Sequence, residues 1–338
     1  MPGKDHAKTS VVITGASSGI GLATAEAFAR QGAILTLAAR NLASLEQAAS
    51  HCRALGGEAF PVQTDVNDIV AVRTLAEHAL RNAGRIDIWV SNVGVGAVGR
   101  FHETPIEAHE QVIRTNLISH MNEAHAVLPI FLRQRRGIFV NMISLGGFAA
   151  APFAAAYSAS KFGLRGFSEA IRAEIADIPD IHICDVYPGF ADTPGLSHGA
   201  NYVGRKLAAP PPVIDPRRVA SAILTLADHP KPTTIVGSTA RLTRIVHGVA
   251  PNLTARILAR FMEGYFKRAD MRAMSEGNLF RASPFPGRVD GNLRSPEQRA
   301  LLTALLGAAA VTGIWLLARP SRRPASASGG RGKLGQRR

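Results

Sequence analysis

The sequence predicts an α/β fold with a doubly wound parallel sheet of about seven strands, followed by a helical C-terminal extension. Three observations lead to this prediction. From residue 9 to about residue 237, short β-type runs alternate with longer helical patterns, and such alternation indicates βαβ units. The strand runs are almost continuously apolar, which is typical of strands covered by helices on both faces. A glycine-rich turn also lies directly between the first strand and the first helix.

The elements follow one another in a regular order. The strand-like runs are VVIT, ILTLAA, AFPVQ, IDIWVS, IFVNMI, IHICDVYP and TTIVG. Helical patterns lie between them at 23–31, 42–55, 69–82, 107–133 and 156–175. Beyond residue 237 no further strand pattern occurs, and apolar side chains at helical spacing predict a basic amphipathic helix over 251–268. The Pro/Gly-rich stretch SPFPGRVDGN that follows predicts a linker.

Composition removes several classes of protein. A chain of 338 residues with 46% apolar residues is not disordered throughout, and its length suits one large α/β domain with an appendage. The two cysteines, Cys52 and Cys184, cannot build a disulfide scaffold, and the absence of CxxC and HExxH motifs predicts no metal site. Because no long apolar run stands near residue 1, the body is expected in the cytoplasm.

The net charge of +14 is distributed unevenly. Residues 1–240 contain 21 Lys and Arg against 20 Asp and Glu, so almost all of the excess lies farther along the chain. We therefore predict a neutral catalytic domain over 1–240 and a basic helical extension with a linker over 241–293. An apolar helix is expected over 294–318 and a basic, disordered tail over 319–338.

The apolar helix raises the question of a membrane. Residues 301–318 carry no charge and would extend about 27 Å as a helix, against about 30 Å for the bilayer core. A span would carry the basic tail across the membrane against the positive-inside tendency, whereas a helix lying on the surface would not. Membrane association by span or by surface is therefore expected, and packing against the body or a partner subunit is the alternative. Nucleic-acid binding is not expected, because no basic module with interleaved aromatic residues is present.

The glycine-rich turn TGASSGIG occupies residues 14–21. Glycines at such a turn permit positive φ angles and a close approach of the backbone, and the following helix directs its N–H groups at a pyrophosphate. The second strand ends in Ala39 and Arg40, where an acidic residue would favour NAD and a basic residue favours the 2′-phosphate of NADP. The pattern predicts NADP(H), with Ser17 and Asn41 as secondary phosphate contacts.

A tyrosine and a lysine four residues apart form the second motif. Tyr157 and Lys161 lie in a helical pattern, so both side chains share one helix face. A positive charge about 4 Å from the phenol could lower its pKa by up to about three units, which would allow it to act as a general acid and base near neutral pH. Ser144 ends the strand thirteen residues earlier, where its hydroxyl can reach a substrate.

These motifs together resemble the classical short-chain dehydrogenase/reductase family, whose fold is of the Rossmann type. The resemblance covers about residues 9–237 in the expected order. It rests on TGASSGIG, on Ser144 with the run YSASK, on Asn116 in RTNLISH, and on the segment from Pro188 to Thr193. One departure is the run from Ser91 to Gly94, which stands where the family usually has NNAG.

The resemblance implies a role for each matching residue. Tyr157 would be the general acid and base, Lys161 would lower its pKa and bind the nicotinamide ribose, Ser144 would hydrogen-bond the substrate carbonyl, and Asn116 would hold a water molecule. The family also suggests a homodimer or homotetramer. The implied cofactor contacts are Gly15, Ser17, Ser18, Gly19, Ile20, Gly21, Arg40, Asp65, Val66, Asn92, Gly94, Tyr157, Lys161, Pro188, Gly189 and Thr193.

The expected function is that of a NADP(H)-dependent oxidoreductase that reduces a ketone or aldehyde, or oxidises a secondary alcohol. Phe148, Phe153 and Phe190 near the catalytic segments favour an apolar substrate. The run from Ser158 to Lys161 also fits the SxxK motif of serine acyl-transfer enzymes, but no SDN or KTG element accompanies it. A NADP-binding protein without catalysis, acting at a membrane or in an assembly, is the other alternative.

Overall fold

The computed structural model describes residues 6–210, 212–284 and 286–293. Its strands are β1 (Ser10–Thr14), β2 (Ile34–Ala39), β3 (Glu58–Gln63), β4 (Ile88–Ser91), β5 (Ala97–Val98), β6 (Gly137–Met142), β7 (Ile181–Pro188), β8 (Ala200–Asn201) and β9 (Thr233–Val236). Its helices are α1 (Gly19–Ala29), α2 (Leu42–Ala54), α3 (Ile69–Ala83), α4 (Ile106–Ile113), α5 (Ser119–Gln134), α6 (Ala155–Glu174), α7 (Gly195–His198), α8 (Pro216–Asp228), α9 (Ser238–Val249) and α10 (Pro251–Arg268).

Seven of these strands form one sheet in the order β3-β2-β1-β4-β6-β7-β9. Every pairing is parallel, with Val12 opposite Thr36 on one side and opposite Trp89 on the other. The chain order reverses between β1 and β4, and a crevice at the carboxyl ends of the strands forms at such a point. The predicted doubly wound α/β fold is therefore confirmed.

Helices cover both faces of the sheet, as the apolar strands require. On one face, α1, α2 and α8 pack over a cluster that includes Phe28, Leu45 and Val219. On the other face, α3, α5 and α6 pack over a second cluster, in which Trp89 and Phe131 are fully buried. Residues within one strand alternate between the clusters, so each strand contributes to both apolar layers.

The helix predicted over 107–133 is interrupted. α4 ends at Ile113, a π-helical turn follows over Arg114–Ile118, and α5 begins at Ser119. Such turns insert one residue into a helix and often occur at functional sites. Here the turn contains Asn116, which is fully buried.

The C-terminal part of the described chain differs most from expectation. The predicted helix over 251–268 is present as α10, but α9 precedes it and was not predicted. The stretch interpreted as a linker packs against the body, because Val289 within it is buried in an apolar cluster of the α/β core. Leu279, just before it, is buried in a second cluster. The division into domains stays a prediction.

The structure bears on the membrane question only in part. Among residues 6–210, 212–284 and 286–293, no helix combines the length and apolar character that crossing a bilayer requires. The apolar run at 301–318 and the basic tail at 319–338 lie outside the described residues.

Candidate active site

The glycine-rich turn forms the floor of the crevice between β1 and β4. Gly15 and Gly19 have φ angles of 64° and 55°, values that residues with a Cβ rarely adopt. A Cβ on Gly21 would overlap the carbonyl oxygen of Gly15. Asn92 Nδ2 donates to the carbonyl oxygen of Thr14 at 3.2 Å and so ties the turn to the end of β4. This cradle of bare backbone at a helix N-terminus fits a dinucleotide pyrophosphate.

The end of β2 supplies the residues expected to select the cofactor. Arg40 Nη2 donates to the carbonyl oxygens of Asn278 at 2.7 Å and Arg281 at 3.2 Å. Asn41 caps α2 by accepting from the backbone N–H of Ser44, and its Nδ2 donates to the carbonyl oxygen of Ser283 at 3.0 Å. Both side chains therefore line the cavity wall. Some of their N–H donors already form hydrogen bonds with residues 278–283.

Ser144 and Tyr157 meet above the end of β6. Ser144 has a φ of 141°, a conformation that costs a non-glycine residue about 1–3 kcal/mol. Its Oγ accepts from the backbone N–H of Gly146 at 3.2 Å, and Ser144 also hydrogen-bonds the Tyr157 hydroxyl. The strained backbone of Ser144 therefore lies at the point of the cavity where the Ser144 and Tyr157 hydroxyls meet.

Lys161 lies one turn farther along α6 and is only 3% exposed. Its Nζ donates to the carbonyl oxygen of Met142 at 3.0 Å and lies 5.9 Å from the centroid of the Tyr157 ring. Burial lowers the pKa of Lys161 to about 7. Burial also raises the pKa of Tyr157, opposed by the hydrogen bond from Ser144. The lowering of the Tyr157 pKa that the sequence predicted is therefore not found in the protein alone, because desolvation of the phenolate outweighs it.

Asn116 stands behind Tyr157 and Lys161. Its Oδ1 accepts from the backbone N–H of Val95 at 2.8 Å, and its Nδ2 donates to the carbonyl oxygen of Val95 at 2.9 Å. A Cβ on Gly94 would lie 3.7 Å from Asn116 Oδ1 and 4.0 Å from Lys161 Nζ. The π-helical turn thus fixes the loop after β4 beside the lysine.

A cavity of about 500 Å³ joins these parts along the carboxyl edge of the sheet. Almost all of the residues predicted for the site line it. Asn116 and Gly21 do not, because the first is buried behind Val95 and the second against the turn itself. The lining includes Gly15, Ser17, Ser18, Gly19, Ile20, Arg40, Asp65, Val66, Asn92, Gly94, Ser144, Tyr157, Lys161, Pro188, Gly189 and Thr193.

Sequence reasoning missed the wall of the cavity that comes from the C-terminal segment. The residues concerned are Asn278, Ala282, Ser283, Pro286 and Gly287. Their distance from the catalytic motifs along the chain left no local signal. The aromatic residues expected near the substrate lie in different places. Phe190 lines the cavity, whereas the Phe148 ring stacks on Tyr187, with 4.2 Å between the ring centroids.

A buried acid beneath the glycine-rich turn was also missed. Glu123 is fully buried, and it accepts from Trp89 Nε1 at 2.7 Å and from Thr14 Oγ1 at 3.1 Å. Burial raises its pKa to about 7. His120 lies nearby with a pKa that burial lowers to about 3, so it is a neutral core histidine rather than a proton donor. Among the described residues, no cluster of His, Cys, Asp and Glu could hold a metal ion.

Comparison with known proteins places this geometry in a family. The model of the short chain dehydrogenase family matches residues 9–200. The uncharacterized oxidoreductase YxnA of Bacillus subtilis is 33% identical over 255 residues, which cover 75% of this chain and 72% of that protein.

Solved structures agree with the fold. An alcohol dehydrogenase of the archaeon Thermococcus sibiricus, complexed with 5-hydroxy-NADP, is 26% identical with a TM-score of 0.61, and the match covers 69% of this chain and 97% of that one. A short chain dehydrogenase/reductase of Burkholderia phymatum, in complex with NAD, is 23% identical with a TM-score of 0.62 over 80% of this chain and 99% of that one. The second likeness shows the fold alone.

Proposed function

Because the chain belongs to the short chain dehydrogenase family of oxidoreductases, we propose that it transfers hydride between NADP(H) and the carbonyl carbon of a ketone or aldehyde, or in reverse from a secondary alcohol. One observation carries the proposal: Ser144, Tyr157, Lys161 and the glycine-rich turn line a single cavity. A bound nicotinamide dinucleotide supplies or accepts the hydride. Proton transfer, orientation and exclusion of water belong to the chain.

Tyr157 is the proton donor in this proposal. Its raised pKa keeps the phenol protonated at neutral pH, so its O–H can transfer a proton to the substrate oxygen while the carbon gains hydride. The Ser144 hydroxyl stands next to it and can donate a second hydrogen bond to the same oxygen as negative charge develops there. In alcohol oxidation the same proton returns to Tyr157.

The preference for NADP(H) rests on the end of β2. Ala39 stands where an acidic residue would hold a ribose 2′-hydroxyl, and Arg40 follows it at the cavity wall. A guanidinium forms strong charge-assisted hydrogen bonds with phosphate. The Thermococcus sibiricus relative, complexed with 5-hydroxy-NADP, supports the same preference.

The substrate end of the cavity favours an apolar compound. Val95, Leu145, Phe190 and Leu196 line it, and His198 lines the same cavity. Apolar walls with a few converging polar groups are typical of small-molecule sites. We therefore expect ketones and aldehydes with hydrocarbon substituents to be better substrates than charged sugars.

Consumption of NADPH and of NADH over a panel of carbonyl compounds tests the proposal. The full chain is compared with Tyr157→Phe and with Tyr265→Phe, a matched control on α10. We expect Tyr157→Phe to lower kcat by about 10²–10⁴-fold with unchanged NADPH affinity, and the control to retain activity. Equal turnover by Tyr157→Phe and the unaltered chain would sink the mechanism. Tight NADPH binding without turnover on any substrate would favour the non-catalytic alternative.

Surface association with an anionic membrane is a second part of the proposal. Leu242, Ile245, Val249, Ile257 and Phe261 on α9 and α10 are 54–82% exposed. The two helices also carry six Lys and Arg against one Glu. Apolar side chains combined with basic ones suit an anionic lipid surface. Cosedimentation with phosphatidylserine-containing vesicles, but not with pure phosphatidylcholine vesicles, is the expected result, and loss of binding in Ile257→Asp locates the contact. Equal sedimentation with both kinds of vesicle counts against it.

Self-association is the third part. Ile118, Met121 and Phe162 are each 40% exposed, and Gly163 lies against the Leu117 side chain, which brings their elements together. Exposed apolar side chains on neighbouring elements are typical of subunit interfaces. Light scattering should give the mass of a homodimer or homotetramer, and Met121→Glu should lower it. A monomeric mass for the unaltered chain would exclude this part.

A further inference from the structure

Residues 270–293, here called the strap, run from the substrate end of the cavity to the glycine-rich turn. Residue 285 of this segment lies outside the described residues. Two apolar side chains anchor the segment to the core. Leu279 is fully buried in a cluster with Val95 and Val112, next to Tyr157. Val289 is 6% exposed and packs in the cluster that lies under α1 and α2. The strap is therefore fixed to the core on both sides of the cofactor crevice.

Polar contacts secure the far end of the strap. Arg217 Nη1 and Nη2 donate to the two carboxylate oxygens of Asp290, each at 2.9 Å. Asp192 Oδ1 accepts from the backbone N–H groups of Gly291 at 3.0 Å and Leu293 at 2.7 Å. A two-pronged ion pair fixes orientation as well as distance, so this end has a defined position above α1.

Between these anchors the strap contacts the groups that a dinucleotide would need. Its carbonyl oxygens accept from Arg40 and from Asn41, at the place expected for the 2′-phosphate. The carbonyl oxygen of Arg288 accepts from the backbone N–H of Gly19 at 2.9 Å, at the first residue of α1. A Cβ on Gly287 would overlap the carbonyl oxygen of Ser17. The strap thus passes directly over the glycine-rich turn and needs a glycine there.

The strap occupies the N–H of Gly19 and donors of Arg40 and Asn41, but it leaves a cavity open along the rest of the crevice. Its residues line the same cavity of about 500 Å³ as Tyr157 and the turn. The guanidinium of Arg40 has five N–H donors, and the described residues of the strap accept hydrogen bonds from its Nη2. A phosphate can therefore still bind Arg40 below the strap.

We propose that the strap is the outer wall of the cofactor site, that it holds the adenosine and pyrophosphate half of the dinucleotide, and that the cofactor enters and leaves only when the strap lifts. The proposal rests on the proposed function to the extent that the crevice binds NADP(H). It adds to the site a wall formed by Asn278, Ala282, Ser283, Pro286 and Gly287, which lie about 260–270 positions from the glycine-rich turn along the chain.

The close approach of Gly287 to Ser17 gives the sharpest test. Gly287→Ala places a methyl group where the Ser17 carbonyl stands, so the strap must move away. Gly264→Ala is the matched control, since a Cβ there meets nothing within 4 Å. Stopped-flow fluorescence on the full chain measures the rate of NADPH release, and titration measures its Kd. We expect release at least tenfold faster and a Kd at least tenfold higher for Gly287→Ala, with no change for the control.

Asp290→Asn serves as the second variant, because it weakens the exposed ion pair with Arg217 and leaves the core intact. Hydrogen exchange over residues 278–293 reports in both variants whether the strap has opened. Increased exchange with unchanged release rate and Kd would overturn the proposal. So would tighter NADPH binding in the opened variants, since that result means the strap competes with the cofactor. Failure of the unaltered chain to bind NADPH would overturn the proposed function together with the strap, whereas binding without a strap effect overturns the strap alone.

Discussion

Tyr157 and Lys161 show how burial sets protonation at the residue scale. Both side chains give up hydration at the end of β6, and each favours its neutral form as a result. The pKa of the ammonium falls to about 7, and that of the phenol rises. A phenol that keeps its proton is suited to donate it to a carbonyl, while abstraction of a proton from an alcohol requires a higher pH. In the proposed reaction, a phenol that is protonated at neutral pH can serve as the acid for carbonyl reduction.

A titration of the cofactor-free protein checks this direction. The chain has four tyrosines, and the pKa of each is raised mainly by burial. Because a raised pKa retains the proton, we expect the absorbance of tyrosinate to appear only above about pH 10, the ordinary tyrosine value. The difference between the unaltered chain and Tyr157→Phe isolates Tyr157, with Tyr265→Phe as the control. A Tyr157 transition near pH 7 would show instead that the Lys161 charge dominates.

Arg40 carries the prediction on cofactor choice. A charge-assisted hydrogen bond contributes about 1.5–3 kcal/mol, or about 10–100-fold in affinity. Arg40→Ser should therefore lower kcat/KM with NADPH by 10–100-fold more than kcat/KM with NADH. Loss of the hydrogen bonds from Arg40 to the strap should affect both cofactors equally. The ratio of kcat/KM with NADPH to kcat/KM with NADH therefore reports the contribution of the 2′-phosphate contact. An unchanged ratio would show that Arg40 does not bind the 2′-phosphate.

At the scale of elements, the interrupted helix 107–133 shows a feature that helical periodicity in the sequence does not predict. Residues on both sides of the interruption have ordinary helical periodicity, and the periodicity does not register the extra residue of the π-helical turn. The turn is associated instead with a contact to another loop, in which Asn116 accepts a hydrogen bond from the N–H of Val95 and donates one to its carbonyl oxygen. The catalytic asparagine implied by the family resemblance therefore has a structural task that spacing could not reveal.

Asn116→Ala measures that task. The substitution leaves the N–H and C=O groups of Val95 without their partners in a buried place, and each such group costs about 1–3 kcal/mol. We expect the free energy of unfolding in urea to fall by about 3 kcal/mol. Asn252→Ala, at an exposed position of α10, should change it by less than about 0.5 kcal/mol. If the two variants are equally stable, the side chain of Asn116 does not hold the loop.

For the whole molecule, the sheet was predictable because each βαβ unit carries its own signals. Apolar strands, helical periodicity and a glycine-rich turn all act between neighbours in sequence, and the seven strands took the predicted parallel arrangement. The motifs predicted for catalysis were likewise local, and the cavity brings most of them together. The strap could not be predicted, because Pro and Gly residues suggest a connector wherever they occur. Its position depends on Leu279 and Val289 packing in apolar clusters, most of whose members lie more than 100 residues away along the chain.

Because these two side chains are buried in the core, we expect the strap to contribute to the free energy of unfolding of the α/β domain. Leu279 is fully buried, whereas Leu253 on α10 is 59% exposed, so the same substitution can be compared at both positions. Truncation of a buried leucine to alanine costs about 2–5 kcal/mol, because apolar contacts are lost and a cavity remains. We expect Leu279→Ala to lower the free energy of unfolding of the full chain by that amount, and Leu253→Ala by less than about 0.5 kcal/mol. Equal small effects in urea unfolding would mean that the body folds without the strap. A large effect at Leu279 means that the extension is integral to the domain that carries Tyr157.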